Sequence, residues 1–198
     1  VALVFSDTAA VSAVPVASAS RGGGSTVRSQ LTHPTQEPPV SDIDPIEFRN
    51  AAGQFMTGVT VVTTLDADGE RAGLTANSFT SVSLNPPMVL VCVGHDTSTV
   101  EAFKAENGFV VHVLADAQKD VSMQFASKGI DRFEGLDVTA GHAGLPVVAG
   151  ALATFECSTA HVYEGGDHLI FVGEVQRLST GDTEAPALGY FRGRYFTS

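Results

Sequence analysis

Residues 59–93, VTVVTTLDADGERAGLTANSFTSVSLNPPMVLVCV, decide the fold that this chain adopts. The stretch is rich in β-branched residues, which favour strands, and its Asp68-Gly69 pair is typical of a hairpin turn. It predicts four strands, at Val59–Leu65, Arg71–Asn77, Phe79–Leu84 and Met88–Val93. Because these strands follow one another without crossover helices, an antiparallel sheet is favoured over a doubly wound parallel sheet.

The rest of the chain adds helices and two long strands. Helices are predicted from Ser41 or Asp42 to Gly58 with Pro45 in the first turn, over Thr97–Glu106 with Thr97 or Ser98 as the cap, and over Gln118–Ala126. Further strands are predicted at Phe109–Leu114, Ala151–Tyr163 and Leu169–Leu178. The length of the last two strands favours a closed or nearly closed sheet. The predicted fold class is therefore mainly β, a barrel-type sheet with helical insertions.

Residues 1–41 differ in composition from the rest of the chain. They are rich in Ala, Ser, Val, Gly, Thr and Pro and show no sustained helical or strand period. We predict a disordered extension there, followed by one folded domain over residues 42–198. A cleavable secretion signal is the alternative, but no basic region precedes its apolar part and Asp7 interrupts it.

Charge and cysteine content narrow the function classes. The formal net charge of the 198 residues is −11, which disfavours binding to nucleic acid and to anionic membranes. Cys92 and Cys157 lie in apolar runs and are predicted to be buried, reduced thiols, although a disulfide between them stays open. Reduced thiols indicate a reducing, cytoplasmic compartment. The sequence has no CxxC, HExxH or Cys/His metal spacing, so no metal site is expected.

Two stretches carry candidate ligand-binding side chains. Hydroxyl and amide groups are concentrated in GLTANSFTSVSLNPP, residues 73–87, and could hold a phosphorylated aromatic ligand without adding bulk. An edge strand followed by a turn is the alternative interpretation of that stretch. His168 follows Gly165-Gly166-Asp167 at the start of a strand. Paired glycines let a flat ligand approach, and the neighbouring carboxylate can orient the imidazole; a turn histidine without a role is the alternative interpretation.

Six segments together resemble the flavin reductase domain of two-component flavin-dependent monooxygenases. They are FRNAAGQFMTGVTVVTT (48–64), GLTANSFTSVSLNPPMVLVCV (73–93), STVEAFKAENGFVVHVLADAQKDVSMQFA (98–126), DRFEG (131–135), GGDHLIFVGEV (165–175) and ALGYFRGRYF (187–196). The resemblance implies an FMN-binding split β-barrel, usually a homodimer. It further implies that NADH or NADPH reduces FMN or FAD, and that the reduced flavin passes to a partner oxygenase.

The resemblance also implies which residues bind the flavin. It places Thr75, Asn77 and Ser78 along the isoalloxazine ring and the ribityl chain, with Ser81 and Val82 at the ring or the phosphate side. Cys92 would lie on the strand that lines the flavin. Ser98 and Thr99 would contact the phosphate at a helix N-terminus, where the helix dipole favours an anion.

The nicotinamide side of the site is implied in the same way. Lys128, Arg132 and Phe133 match a basic and aromatic segment that closes over a phosphate or the adenine. Gly166, Asp167 and His168 match the turn that meets the nicotinamide, which makes His168 the candidate catalytic residue. Hydride would pass from nicotinamide C4 to flavin N5, so the protein would chiefly align two rings.

Two other functions are compatible with a similar barrel. One is a flavin oxidase of the pyridoxamine-phosphate type, which shares FMN but acts on another substrate. The other is a flavin- or haem-binding module without turnover. The sequence leaves open FMN against FAD, NADH against NADPH, and whether the flavin is retained or exchanged.

Overall fold

The computed structural model describes residues 43–105 and 107–197. The extension predicted for residues 1–41 therefore lies outside the described residues. The described chain is mainly β, as the sequence predicts. Within these ranges, none of the helices has the length and the apolar character that crossing a membrane requires.

The elements follow one another in an order dominated by strands. The helices are α1 (Pro45–Ala52), α2 (Val100–Lys104) and α3 (Lys119–Ala126). The strands are β1 (Thr57–Gly58), β2 (Thr60–Leu65), β3 (Arg71–Ala76), β4 (Thr80–Leu84), β5 (Pro87–Gly94), β6 (Phe109–Val113), β7 (Val138–Ala140), β8 (Pro146–Val148), β9 (Ala153–Gly165), β10 (His168–Thr180), β11 (Leu188–Phe191) and β12 (Arg194–Thr197). Short 3₁₀ turns lie at Asp116–Gln118 and His142–Gly144.

Seven strands form one antiparallel sheet in the order β3-β2-β6-β9-β10-β5-β4. Its two edge strands, β3 and β4, are consecutive in the chain and are joined by only three residues, Asn77–Phe79. Such a short link cannot span a flat sheet of seven strands, because neighbouring strands lie about 4.8 Å apart. The sheet is therefore curled so that its edges lie close together.

The curl encloses the larger of two hydrophobic clusters. Its inward side chains come from six of the seven strands, and α2 contributes Val100 and Phe103. Phe103 and Phe171 lie with their ring centroids 5.6 Å apart in this interior. The second cluster lies on the outer face of β2, where Val59 and Val61 pack with Phe125 of α3 and with Leu188 of β11. The ligand candidates are thus attached to a sheet that is packed on both sides.

The strands of the sheet match the predictions within about two residues, whereas the helices are shorter than predicted. α1 begins at Pro45, after the N-cap Asp44 whose Oδ1 atom accepts bonds from two backbone N–H groups, and it ends at Ala52 rather than Gly58. α2 has five residues, and its N-cap Thr99 makes no side-chain capping bond. The predicted cap at Thr97 or Ser98 is therefore wrong, because the backbone turns twice before the helix begins.

His112 connects three strands in the interior. Its ring is fully buried; Nδ1 donates to the Val61 carbonyl (3.0 Å), and Nε2 accepts from the Val148 N–H (3.0 Å). The second bond requires an unprotonated Nε2, so the ring is neutral. Burial accordingly lowers the pKa of His112 from 6.5 to about 4, although the bond to Val61 raises it in part.

This lowered pKa predicts a loss of stability in mild acid. The unfolded chain takes up a proton near the ordinary histidine pKa of 6.5, while the folded chain resists protonation until about pH 4, so falling pH favours unfolding. Between about pH 8 and about pH 5, we expect the free energy of unfolding to fall by about 2 kcal/mol from this group. Urea unfolding at several pH values measures it. His112→Gln should flatten the slope, and a wild-type stability that does not change over this range would contradict the assignment.

Candidate active site

Two chain segments lie side by side and antiparallel where the sheet edges approach each other. One is residues 73–78, the end of β3 and the link to β4; the other is residues 92–99, the end of β5 and the corner before α2. Hydrogen bonds join Ser78 to Cys92 at one end of this pair. At the other end, Arg132 bridges Gly73 and Ser98. We call this strip, residues 73–78 with 92–99, the seam.

Ser78 uses its hydroxyl group to hold the seam together. The Oγ atom accepts a bond from the Cys92 N–H (2.9 Å) and donates one to the Cys92 carbonyl (3.1 Å). The regular ladder of β4 with β5 begins only at Thr80 opposite Leu90. The hydroxyl therefore satisfies backbone groups of β5 beyond the point where β4 reaches. Burial raises the pKa of the Cys92 thiol, which stays protonated.

Thr75 is likewise engaged within the protein. It is buried, and its hydroxyl donates to the Ser122 carbonyl of α3 at 2.5 Å. The Ser122 hydroxyl in turn shares a hydrogen bond of 2.9 Å with the Tyr195 phenol of β12. A continuous chain of polar contacts thus connects the seam through α3 to the last strand. The sequence predicts Thr75 and Ser78 as flavin ligands, and each already has its hydroxyl proton committed.

Asn77 and Thr99 differ from these two residues. The Asn77 Oδ1 and Thr99 Oγ1 atoms are enclosed and have no hydrogen-bond partner in the described part of the chain. An enclosed polar atom without a partner costs free energy, so such atoms call for a ligand or a bound water. Both atoms lie on the seam. This pair, an amide oxygen that accepts and a hydroxyl that can donate or accept, therefore fits a polar ligand that bridges the two segments.

Arg132 brings a positive charge to the same place. Its guanidinium donates to the carbonyls of Ser127 (2.9 Å) and Gly73 (2.7 Å) and approaches the Ser98 hydroxyl at 3.4 Å. Among residues 43–105 and 107–197, no carboxylate lies within ion-pair distance of it. Partial burial lowers its pKa, although it stays charged. This cation is held only by neutral acceptors and is available to an anion such as phosphate.

The other residues predicted to contact the nucleotides differ in how exposed they are. Lys128 is exposed in the loop before Arg132, and Ser81 and Val82 are exposed on β4. Phe133 is 5% exposed, packs edge-on against Phe125 at 5.0 Å and belongs to the second hydrophobic cluster. The structure does not bring its ring to the surface of the seam. A helix of five residues also supplies little dipole at Ser98 and Thr99, so the positive charge there comes from Arg132.

His168 lies at the end of the seam, where a tight turn connects β9 to β10. Gly166 has φ +77°, a conformation that favours glycine, and His168 pairs across the sheet with Gly94 of β5. The imidazole is 4% exposed, and its Nδ1 donates to the Asp167 carboxylate at 2.7 Å. That bond fixes the tautomer and leaves Nε2 as an acceptor with no partner inside the described ranges.

Comparison with known proteins decides the family. The family model described as "Flavin reductase like domain" matches residues 52–198. The chain belongs to this family. It is 46% identical over 154 residues to a "Probable flavin reductase" of Rhizobium meliloti, an alignment that covers 78% of this chain and 49% of that relative. The present chain thus spans about half the length of that relative.

Two further relatives match over most of their length. The reductase subunit HsaB of a flavin-dependent monooxygenase from Mycobacterium tuberculosis is 41% identical over 156 residues, which are 78% of this chain and 83% of that one. The solved structure of the NADH:FAD oxidoreductase SgcE6 from Streptomyces globisporus, in complex with NAD and FAD fragments, has 42% identity and a TM-score of 0.72. That match covers 77% of the present chain and 92% of the Streptomyces chain.

The contrast between engaged and unpartnered hydroxyl groups on the seam predicts opposite effects on the ligand-free protein. Ser78→Ala strands the N–H and C=O of Cys92, so we expect the free energy of unfolding to fall by about 1–3 kcal/mol. Thr99→Val removes an enclosed oxygen that bonds to nothing, so we expect ligand-free stability to be unchanged or higher. Urea unfolding measures both, with the exposed Ser81→Ala as the control. A large destabilisation by Thr99→Val would show that its hydroxyl has a partner within the protein.

Proposed function

We propose that this chain uses NADH or NADPH to reduce FMN or FAD and supplies the reduced flavin to a partner oxygenase. The observation that carries the proposal is the seam, where the enclosed, unpartnered oxygens of Asn77 and Thr99 accompany the unpaired cation of Arg132. Family membership supports reduction of a flavin. The names of the HsaB and SgcE6 relatives support an oxygenase partner and the pairing of NADH with FAD, respectively.

Each group of residues has a distinct task in this proposal. Asn77 and Thr99 bind polar groups of the flavin, and Arg132 with the exposed Lys128 binds phosphate. Ser78 and Thr75 hold the seam in shape. When both nucleotides are bound, the nicotinamide supplies a hydride from C4 and the flavin accepts it at N5. The protein has to align the two rings and exclude water, so no general acid or base is required.

His168 and its turn serve the nicotinamide side. The turn projects from the end of β9 and β10, and the imidazole offers Nε2 as an acceptor, which suits an amide N–H such as that of a carboxamide. Asp167 fixes the ring through Nδ1 (2.7 Å). His168 therefore orients the nicotinamide, and its loss should leave the flavin-binding residues of the seam in place.

Consumption of NADH in the presence of free FMN or FAD tests the function directly. We expect flavin-dependent loss of NADH absorbance with the wild type, and His168→Ala should lower the turnover by about tenfold or more, as loss of a positioning contact does. Flavin titration of His168→Ala should give the wild-type affinity. An unchanged rate of NADH oxidation by His168→Ala at saturating flavin would show that His168 is not part of the site. A wild type that binds flavin but does not oxidise NADH would overturn the proposed reductase activity.

The architecture is proposed to be the FMN-binding split β-barrel. The curled sheet with its interior cluster and its short link between edge strands supports that assignment. A reducing, cytoplasmic location is also proposed, since Cys92 and Cys157 are both free, buried thiols. Burial raises the pKa of the Cys157 thiol to about 12, which keeps it unreactive.

A homodimer is proposed from the surface around α1. None of the residues of α1 is buried, although the segment is rich in large apolar side chains. The exposed ones are Ile43, Ile46, Phe48, Phe55 and Met56, each between 44% and 75% exposed. A patch of this composition marks an interaction surface. A second copy of the chain is the occupant that the family resemblance favours.

Light scattering on the purified chain measures its oligomeric state. We expect a mass of twice that of the chain, and Phe55→Glu with Ile46→Glu should shift the protein towards the monomer by charging the apolar surface. The exposed Leu178, on the part of β10 that pairs with β9 but extends beyond β5, offers Leu178→Glu as a control with the same kind of substitution. A wild type that stays monomeric at high protein concentration would contradict the dimer.

A further inference from the structure

Two contacts join the turn that carries His168 to the corner that precedes α2. The backbone N–H of His95 donates to the carbonyl of Asp167 at 3.0 Å. The His95 side chain reaches the same hairpin by a second route, because its Nε2 lies 3.2 Å from Oε2 of Glu164. One residue of the corner therefore contacts the hairpin at two places, the end of β9 at Glu164 and the two-residue turn Gly166-Asp167.

The position of His95 in the chain makes these contacts relevant to the site. It follows directly after Gly94, the residue opposite His168, and it precedes Thr99 by four residues. The corner 95–99 thus has the unpartnered Thr99 hydroxyl at one end. At its other end are the two contacts of His95 with the hairpin. Any displacement of the hairpin relative to this corner changes the distance between the flavin side and the nicotinamide side of the site.

We propose that His95 and Glu164 are positioning residues, whose ion pair sets the nicotinamide turn against the flavin corner. The inference rests on the proposed function. Asp167 is the link between the pair and the reaction, because its carbonyl is held by His95 while its carboxylate orients the imidazole of His168. In this proposal Glu164 and His95 act through this turn. A neutral His95 with its proton on Nε2 donates to Glu164 as a charged one does.

The pair is exposed, so it adjusts the turn without determining whether the protein folds. The side chains of His95 and Glu164 are 40% and 77% exposed. Exposed ion pairs contribute little to global stability. The backbone ladder between His168 and Gly94 remains when the pair is lost. The expected effect is therefore local to the turn, with the sheet and the seam unchanged.

Amide hydrogen exchange tests whether the His95–Glu164 pair holds the turn, independently of any activity. In His95→Ala and in Glu164→Ala, we expect the amides of residues 164–168 to exchange up to about fivefold faster, the size of a lost exposed ion pair. The matched control is Glu101→Ala, which breaks an ion pair of similar exposure between Lys104 and Glu101 (2.8 Å) on α2. Exchange in the turn that is unchanged in both variants of the pair would overturn the proposal, whatever the protein's activity.

Steady-state kinetics then tests the link to the reaction. We expect each single variant to raise the KM for NADH up to about fivefold, with the flavin affinity and the thermal unfolding temperature of the wild type. The double variant should be no worse than either single variant, and His95→Lys should restore the KM because it renews the pair. Additive losses in the double variant, or an equal loss from Glu101→Ala, would overturn the role. A wild type without NADH oxidation would instead refute the proposed function and leave the exchange result standing.

Discussion

The three-residue link between β3 and β4 is the constraint on which the rest of the structure depends. It ties together the two edges of a seven-stranded sheet, so the sheet has to curl around the interior cluster. Curling leaves a line along which the edges meet without a regular ladder. Backbone groups on this line need partners, and Ser78 supplies them for Cys92. The candidate binding site is therefore a consequence of how the sheet closes rather than an addition to it.

Polar groups on this line fall into two kinds with different physical duties. Ser78 replaces missing backbone partners of Cys92 and Thr75 ties β3 to α3, whereas Asn77 and Thr99 keep enclosed oxygens without partners. Arg132 completes the second kind because it brings charge while bonding only to neutral acceptors. The unpartnered oxygens of Asn77 and Thr99 lower the stability of the ligand-free protein, and they stay available to bind a ligand. The rigid sheet beneath them limits how far they can relax.

Much of the sheet could be predicted from the sequence because strand signals are local. The β-branched run before Asp68-Gly69 and the long runs around Gly166 gave β2, β3, β9 and β10 within about two residues. The short strands β1, β11 and β12 escaped prediction, since they are stabilised by pairing with one another rather than by any pattern of their own. The predicted helices are longer than the observed ones because helix propensity alone does not show where tertiary packing ends a helix.

The sequence predicts which residue types form the candidate site. It does not predict which of these residues bond within the protein and which stay available to a ligand. The small polar residues at 75–78, the pair at 98–99 and the Gly166–His168 turn were all identifiable from residue types. Which hydroxyl bonds within the protein depends on strand register, as Ser78 and Cys92 show. His95 and Glu164 carried no signal, because they meet only through the pairing of β10 with β5 and β9. Residue type alone also does not show that the ring of Phe133, in the basic and aromatic segment, packs in the outer core.

The chain of contacts from Thr75 through Ser122 to Tyr195 has a practical consequence for handling the protein. It makes the last strand a structural neighbour of the binding seam, although the two are 120 residues apart in the sequence (195 minus 75). An affinity tag fused after β12 pulls on the same strand that supports α3. The Arg192 N–H of the hairpin formed by β11 and β12 also donates to the Gly53 carbonyl just after α1, at 3.1 Å. The last two strands therefore connect to α1 as well as to the seam, and a fusion after β12 would disturb both.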